Sequence, residues 1–170
     1  MHIQVTGFSK TKHLSKVIKV ADVKKIVERI TTKLMPRISD DIKYVIMFTD
    51  GKTMPKDHEA SAAILGGKYA ARPREFEIIV NSNVHFKSFV RYISHELLHV
   101  KQWSCGKMYE GAGFTTWLGR RYSNNYQDKN YWYLPWEIEA RGYEDALMWF
   151  TVHSYGCNSF RQLKTKLRIK

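Results

Sequence analysis

Two segments of the chain repeat apolar residues at helical spacing. In the first, Asp22–Leu34, apolar residues recur every three or four positions until Pro36 follows. Side chains three and four positions apart share one face of a helix, so this pattern predicts an amphipathic helix that ends before Pro36. The second segment, from about Val84 to Trp103, predicts another helix with one face in the core. Its apolar stripe consists of Phe86, Phe89, Ile93, Leu97 and Val100.

Shorter segments rich in β-branched and aromatic residues end near turn-forming residues, which is typical of strands. The clearest is Glu75–Asn81, directly before the second helix, and the others are Ile3–Phe8, Ile42–Thr49 and Ala60–Leu65. A third helix is predicted from Pro135, a residue that suits a first helical turn, to about His153. Strands and helices in this irregular order indicate an α+β fold.

The segment Cys105–Leu134 between the second and third helices is rich in Gly, Tyr and Trp. Its aromatic side chains would form a sticky patch in water, so we expect an ordered aromatic loop that packs over a cleft. After the third helix, residues 157–170 form a basic tail with a few apolar residues among the Lys and Arg. The chain, residues 1–170, has the size of a single domain.

Composition excludes several classes of protein. No segment approaches the ~20 consecutive apolar residues of a membrane helix, and the N-terminus lacks the apolar core of a signal peptide. The two cysteines, Cys105 and Cys157, form no C-x-x-C pair, which argues against a zinc ribbon or a disulfide framework. We therefore expect a cytoplasmic protein with reduced thiols.

The net charge of +12 either favours contact with nucleic acid or an acidic partner, or only solubilises the surface.

The second predicted helix carries the sequence His95-Glu96-Leu97-Leu98-His99. Positions i and i+4 lie about 40° apart around a helix, so both imidazoles project from one face and can bind one Zn²⁺ ion. Glu96 lies about 100° from His95, at the border of that face, where it would act as general base towards a zinc-activated water. The apolar stripe occupies the opposite side. This segregation favours a metal site over two histidines that merely decorate an exposed helix.

A catalytic zinc site needs a third protein ligand, and the start of the third predicted helix offers two acids, Glu137 and Glu139. On a helical projection, Glu139 lies about 60° from the centre of the apolar stripe and Glu137 about 100° away on the other side. Glu139 is therefore the favoured ligand, because an acid turned inward needs a metal or a cation. Glu137, as an ordinary acid at a helix N-terminus, and His153 remain alternatives. The stripe consists of Trp136, Ala140, Tyr143, Leu147 and Phe150.

The H-E-L-L-H motif and the downstream P-W-E-I-E-A segment resemble the zincin-like metallopeptidases encoded by bacteriophages and large viruses. The resemblance covers residues 75–150 and implies a minimal zincin fold of the gluzincin type. In that fold, a small mixed sheet has a backing helix, and a C-terminal helix closes the cleft over the active-site helix. Thermolysin-type gluzincins have an Asp four residues after the ligand Glu, where this chain has Tyr143. A viral protein would occupy the host cytoplasm or the virion. The implied roles are zinc ligand for His95, His99 and Glu139, and general base for Glu96.

Two functions are compatible with these observations. The first is a zinc-dependent metallopeptidase that hydrolyses peptide bonds in a peptide or protein substrate. The second is a non-catalytic, zinc-stabilised basic module associated with nucleic acid or a virion. Glu96 is not needed to hold the metal, so its presence favours the enzyme.

Overall fold

Two β-sheets and the helices around them make up an α+β fold, as the sequence predicts. The computed structural model describes residues 1–50, 59–66, 70–124 and 128–168. Each strand and helix predicted from the apolar pattern is present, and the ends move by no more than two residues.

The larger sheet has four strands in the order β1-β2-β4-β3. β1 (His2–Thr6), β2 (Lys43–Thr49) and β4 (Glu75–Asn81) are parallel, whereas β3 (Ala60–Ile64) runs antiparallel to β4. Among the described residues only β4 pairs with β3, so β3 is an edge strand. β2 and β4 bury every second residue, which places one face of each strand in the core. These core residues are Tyr44, Ile46, Phe48, Phe76, Ile78 and Val80.

The long helices pack against one another, and the first two also contact the larger sheet. The long helices are α1 (Val20–Leu34), α2 (Phe86–Ser104) and, after the short α3 (Asp128–Tyr131), α4 (Pro135–Ser154). α2 contacts α1, α4 and the strands β3 and β4, and its predicted apolar stripe is buried along its whole length. Within the described ranges, no helix is long and apolar enough to cross a membrane.

Outside residues 125–127, which are not described, the connector between α2 and α4 is ordered, as predicted, but it contains strands that the sequence analysis did not predict. β5 (Met108–Gly111), β6 (Phe114–Trp117) and β7 (Arg120–Ser123) form an antiparallel three-stranded sheet. The turn between β6 and β7 has positive φ angles at both Leu118 and Gly119, as a type I′ hairpin turn requires. The two-residue turns Ala112-Gly113 and Leu118-Gly119 were the sequence signal for these hairpins. The sequence analysis considered only the aromatic composition of the segment and did not use this signal.

The C-terminal basic segment is a helix rather than a solvated tail. α5 (Phe160–Arg168) buries Leu163 and Leu167, which lie four positions apart and therefore on one face. The predicted tail extends to residue 170, beyond the last described residue. The cysteines are free thiols, with Cys105 exposed and Cys157 buried.

Candidate metal centre

The motif on α2 brings two imidazoles to the same point. The Nε2 atoms of His95 and His99 lie 3.1 Å apart, one helical turn along the same face. Both rings are largely shielded from solvent, and the side chain of His99 is 8% exposed. The pairing of two nitrogen donors that the sequence predicts is therefore present in the structure.

The third member of the group is Glu137, from the first turn of α4. Its Oε2 lies 3.3 Å from Nε2 of His95, and its Oε1 lies 3.3 Å from Nε2 of His99. Glu137 is only 1% exposed, and its buried Oε2 contacts Nε2 of His95 without a well-aligned hydrogen bond. One donor atom from each of these three residues lies within 4.8 Å of the others, so the group could hold a metal ion.

Glu139, the ligand that the sequence analysis favoured, lies elsewhere. Its Oε1 is 2.6 Å from Nζ of Lys107, and its Oε2 accepts a hydrogen bond from Nε2 of Gln102. The structure thus brings Glu137, the alternative acid, and not Glu139 beside the two histidines. The remaining alternative, His153, is exposed and stacks on Trp149 away from the group.

The difference from the predicted arrangement comes from the orientation of α4. Tyr143, which was assigned to the buried stripe, is 57% exposed, while the adjacent Glu144 is buried. The buried face is consequently rotated by roughly 70° towards Glu137, at 3.6 residues per turn. A helical projection assumes that apolar residues define the buried face, and here two acids lie on it. The face consists of Trp136, Glu137, Ala140, Glu144, Leu147, Met148, Thr151 and Val152.

Each imidazole has a partner on its other nitrogen. Nδ1 of His95 lies 3.0 Å from Oε2 of Glu144, and Nδ1 of His99 lies 2.8 Å from Oε1 of Gln102. Because these oxygens accept, they favour protonated Nδ1 atoms, so each Nε2 is the atom that a metal ion would bind in place of a proton. Arg91 in turn pairs with Glu144 at 2.7 Å.

Glu144 is the carboxylate that orients a ligand histidine, and the sequence analysis found no residue for this role at the expected position. The residue four positions after the predicted ligand is Tyr143, which cannot serve as a carboxylate partner. Glu144 lies seven residues after Glu137, two turns further along the same helical face. This spacing from Glu137 was the available signal, and the sequence analysis does not use it because it favours Glu139.

Hydrogen bonds among these groups shift their protonation. Burial lowers the pKa of His95, but the carboxylates of Glu137 and Glu144 outweigh it and raise the pKa to about 9. Burial also lowers the pKa of His99, and Glu137 reverses that shift, so the net direction is upward. Burial raises the pKa of Glu137, but its two imidazole partners outweigh that effect and lower the pKa overall. The pocket therefore favours an ionised carboxylate beside the two rings.

Glu96 lies at the edge of the group without belonging to it. It is 7% exposed, and burial raises the pKa of its carboxyl group, although the nearby His99 and His95 work against the shift. A backbone hydrogen bond from Ala62 of β3 stabilises its charged form. A carboxylate with a raised pKa beside a metal-binding group is the arrangement that general acid–base chemistry needs.

A cavity of about 970 Å³ opens over the group. It is lined by Glu96 and the three cluster residues, by edge strand β3, and by the connector after α2. The connector contributes Met108, Glu110, Thr115, Tyr131 and Trp132, which agrees with the expectation that it packs over a cleft. The site thus has a wall on each side and room for a ligand.

No protein-family model matches the chain, and neither the curated proteins nor the solved structures give a significant match. The resemblance to zincin-like metallopeptidases therefore stays an expectation, and the chemistry of this site must be argued from its own residues.

The donor set fits a divalent transition metal. Two neutral imidazoles and one carboxylate are the protein ligands of many catalytic zinc sites, which leave a fourth position open. The Oε2 atom of Glu137 supports this fit, because a buried carboxylate oxygen without a well-aligned hydrogen bond is costly unless a cation contacts it. We therefore regard His95, His99 and Glu137 as the candidate metal centre.

Replacement of Glu144 tests the support of His95. Glu144→Gln should weaken metal affinity about 10–100-fold, because the neutral amide no longer holds protonated Nδ1 of His95 as strongly. Asp145→Asn is the matched control, since Asp145 also pairs with Arg91 but is exposed and makes no contact with the histidine. Competition with a chromogenic chelator measures both variants. Equal affinities for the two variants would contradict the assigned role of Glu144.

Proposed function

We propose that the protein is a zinc-dependent metallopeptidase that hydrolyses peptide bonds. The observation that carries the proposal is the division of roles on one helix turn. His95 and His99 point their Nε2 atoms at Glu137, whereas Glu96 lies next to them with no place in the cluster. A bound zinc ion would supply Lewis acidity towards a carbonyl oxygen and make a water molecule easier to deprotonate.

Glu96 would move the proton in this reaction. Its carboxylate accepts a proton from the attacking water and later donates it to the leaving amine. Burial raises the pKa of Glu96 and so brings it closer to the value that favours both transfers, although the two imidazoles limit the shift. The backbone N–H of Ala62 fixes the carboxylate against β3 and so orients it towards the cavity wall.

The edge strand beside the site suits an extended peptide as the ligand. β3 lines the cavity through Ala60, Ser61 and Ala62, and it is the edge of the larger sheet in the described residues. On its free side, an edge strand offers backbone N–H and C=O groups to which an extended chain can add as a further strand. Here the N–H of Ala62 already donates to Glu96, so the neighbouring groups would pair with the peptide. A peptide bound there would pass beside Glu96, because Ala62 contacts that carboxylate directly.

These features favour the enzyme over the non-catalytic zinc module. A structural zinc site is closed by four protein ligands, whereas the part of the chain that the structure describes offers three, and the group opens on a cavity. A purely structural centre would also gain nothing from burying Glu96 beside it at the cost of desolvation.

Digestion of a broad peptide library tests the proposal. The zinc-loaded protein should cleave a subset of peptides, a chelator should stop cleavage, and added zinc should restore it. Mass spectrometry identifies the products and the cleaved bonds. No cleavage by the zinc-loaded protein, or cleavage that persists after the metal is removed, would contradict the proposed function.

A further inference from the structure

A second cavity, of about 850 Å³, lies on another part of the molecule. Its walls are α1, the C-terminal end of α4 and one residue of α5. It shares no lining residue with the cavity over the metal centre. The lining residues, here named the basic cleft, are Lys25, Glu28, Arg29, Thr32, Lys33, Phe150, Ser154, Tyr155 and Lys166.

Positive charge dominates the basic cleft. Lys25, Arg29 and Lys33 are four positions apart on α1, so they form one row about 12 Å long at 1.5 Å per residue. Lys166 of α5 adds a fourth cation, and Glu28 is the single acid in the lining. In the described parts of the chain, none of the four cations forms an ion pair with a carboxylate.

Contacts with neutral groups hold three of these cations at the cleft. Arg29 donates a hydrogen bond to the carbonyl oxygen of Ser154 at 2.7 Å and packs over the ring of Tyr155. Lys166 donates to the carbonyl oxygen of Tyr155, and Lys33 lies 5.5 Å from the centre of the Phe150 ring. Each of these cations keeps further N–H groups that can donate to a ligand, because a guanidinium has five N–H groups and an ammonium has three. The cations are therefore positioned without being neutralised.

A row of like charges four positions apart destabilises an isolated helix. An anion shared by Lys25, Arg29 and Lys33 would relieve this repulsion. The repeated spacing of the row suits a ligand that carries a charge on every repeating unit, and the phosphodiester backbone of nucleic acid is such a ligand. The overall charge of +12 would attract the same ligand from a distance.

We infer that the basic cleft binds the phosphate backbone of nucleic acid through sequence-independent contacts. This site is separate from the metal centre and does not depend on peptidase activity. The phosphates contact Lys25 and Lys33 at the two ends of the row and Arg29 between them. No base is read at this surface, because phosphate contacts position a protein without specifying a sequence.

Charge reversal at the ends of the row tests this inference. The variant Lys25→Glu/Lys33→Glu should bind a labelled oligonucleotide at least about 10-fold more weakly than wild type. It should also lower the slope of log affinity against log salt by about 1.5–2 between roughly 50 and 200 mM salt, because two phosphate contacts are lost. Fluorescence anisotropy measures both quantities, with a single-stranded and a double-stranded oligonucleotide in separate titrations.

The matched control is Lys10→Glu/Lys87→Glu, which has the same net charge and changes two exposed residues outside both cavities. It should keep an affinity within about 3-fold of wild type for the oligonucleotide that the wild type binds better. Equal losses in the two variants would overturn the inference, because they would show diffuse attraction only. Wild-type protein that binds an acidic peptide polymer as tightly as either oligonucleotide would also overturn it. Thermal unfolding of both variants confirms that they are folded.

Removal of the metal separates this inference from the proposed function. Binding of the oligonucleotide should be unchanged in the presence of a chelator that stops peptide cleavage. An affinity that falls with metal removal would contradict a separate site in the basic cleft.

Discussion

Glu137→Gln should lower zinc affinity by more than about 100-fold. This loss is larger than the loss expected when a residue that only orients a ligand is replaced. The amide removes the negative charge that lies 3.3 Å from both Nε2 atoms. It also binds zinc poorly, because zinc sites use carboxylate oxygen, imidazole nitrogen and thiolate sulfur. Zinc affinity is measured by competition with a chelator of known strength.

The matched control for this variant is Glu139→Gln, which makes the same chemical change two residues away. Glu139 contacts Lys107 and Gln102 rather than the cluster, so its variant should keep zinc affinity within about 10-fold of wild type. A small loss is expected because Gln102 also contacts His99. The opposite ranking, with the larger loss in Glu139→Gln, would restore the ligand that the sequence favoured.

The second large effect is expected on catalysis. Glu96→Gln should reduce peptide cleavage by about 10²–10⁴-fold, because Gln keeps the size of Glu but cannot accept a proton. Its zinc content and thermal stability should stay close to those of wild type, since Glu96 is not in the metal cluster. Initial rates on a peptide found in the library digestion measure the loss, and metal analysis is done on the same samples.

Glu77→Gln is the control for this second variant, because Glu77 is a partly buried acid on β4 outside the cavity lining. It should cleave the peptide at nearly the wild-type rate. A Glu96→Gln variant that lost its zinc or unfolded would show that Glu96 is a ligand or a structural acid. Full activity in Glu96→Gln would exclude Glu96 as the proton acceptor.

The sequence predicted the parts of the fold that depend on apolar periodicity. The stripe on α2 is buried as expected, and the strand Glu75–Asn81 has the predicted bounds. The side-by-side placement of His95 and His99 followed from helix geometry alone, because both lie on one short segment of a single helix. Local spacing is enough when all the atoms that matter belong to one element.

The third member of the site depended on how two elements pack, and spacing could not give that. α4 turns the acids Glu137 and Glu144 inward because imidazoles and Arg91 lie opposite them. If only apolar residues are placed in the core, Tyr143 is assigned to it instead, and the predicted buried face of α4 is rotated away from Glu137. The strands β5, β6 and β7 were not predicted, because the connector was interpreted from its aromatic composition alone. The helix α5 was interpreted as a tail, although Leu163 and Leu167 have the spacing of a buried helical face.

X-ray diffraction from zinc-soaked crystals, recorded on both sides of the zinc absorption edge, tests the central claim most directly. The account predicts one anomalous peak per chain, about 2.0–2.2 Å from Nε2 of His95, Nε2 of His99 and a carboxylate oxygen of Glu137. Glu96 should lie outside the coordination sphere. The absence of a peak between these three atoms at full zinc loading, or a peak coordinated by Glu139 instead, would contradict it.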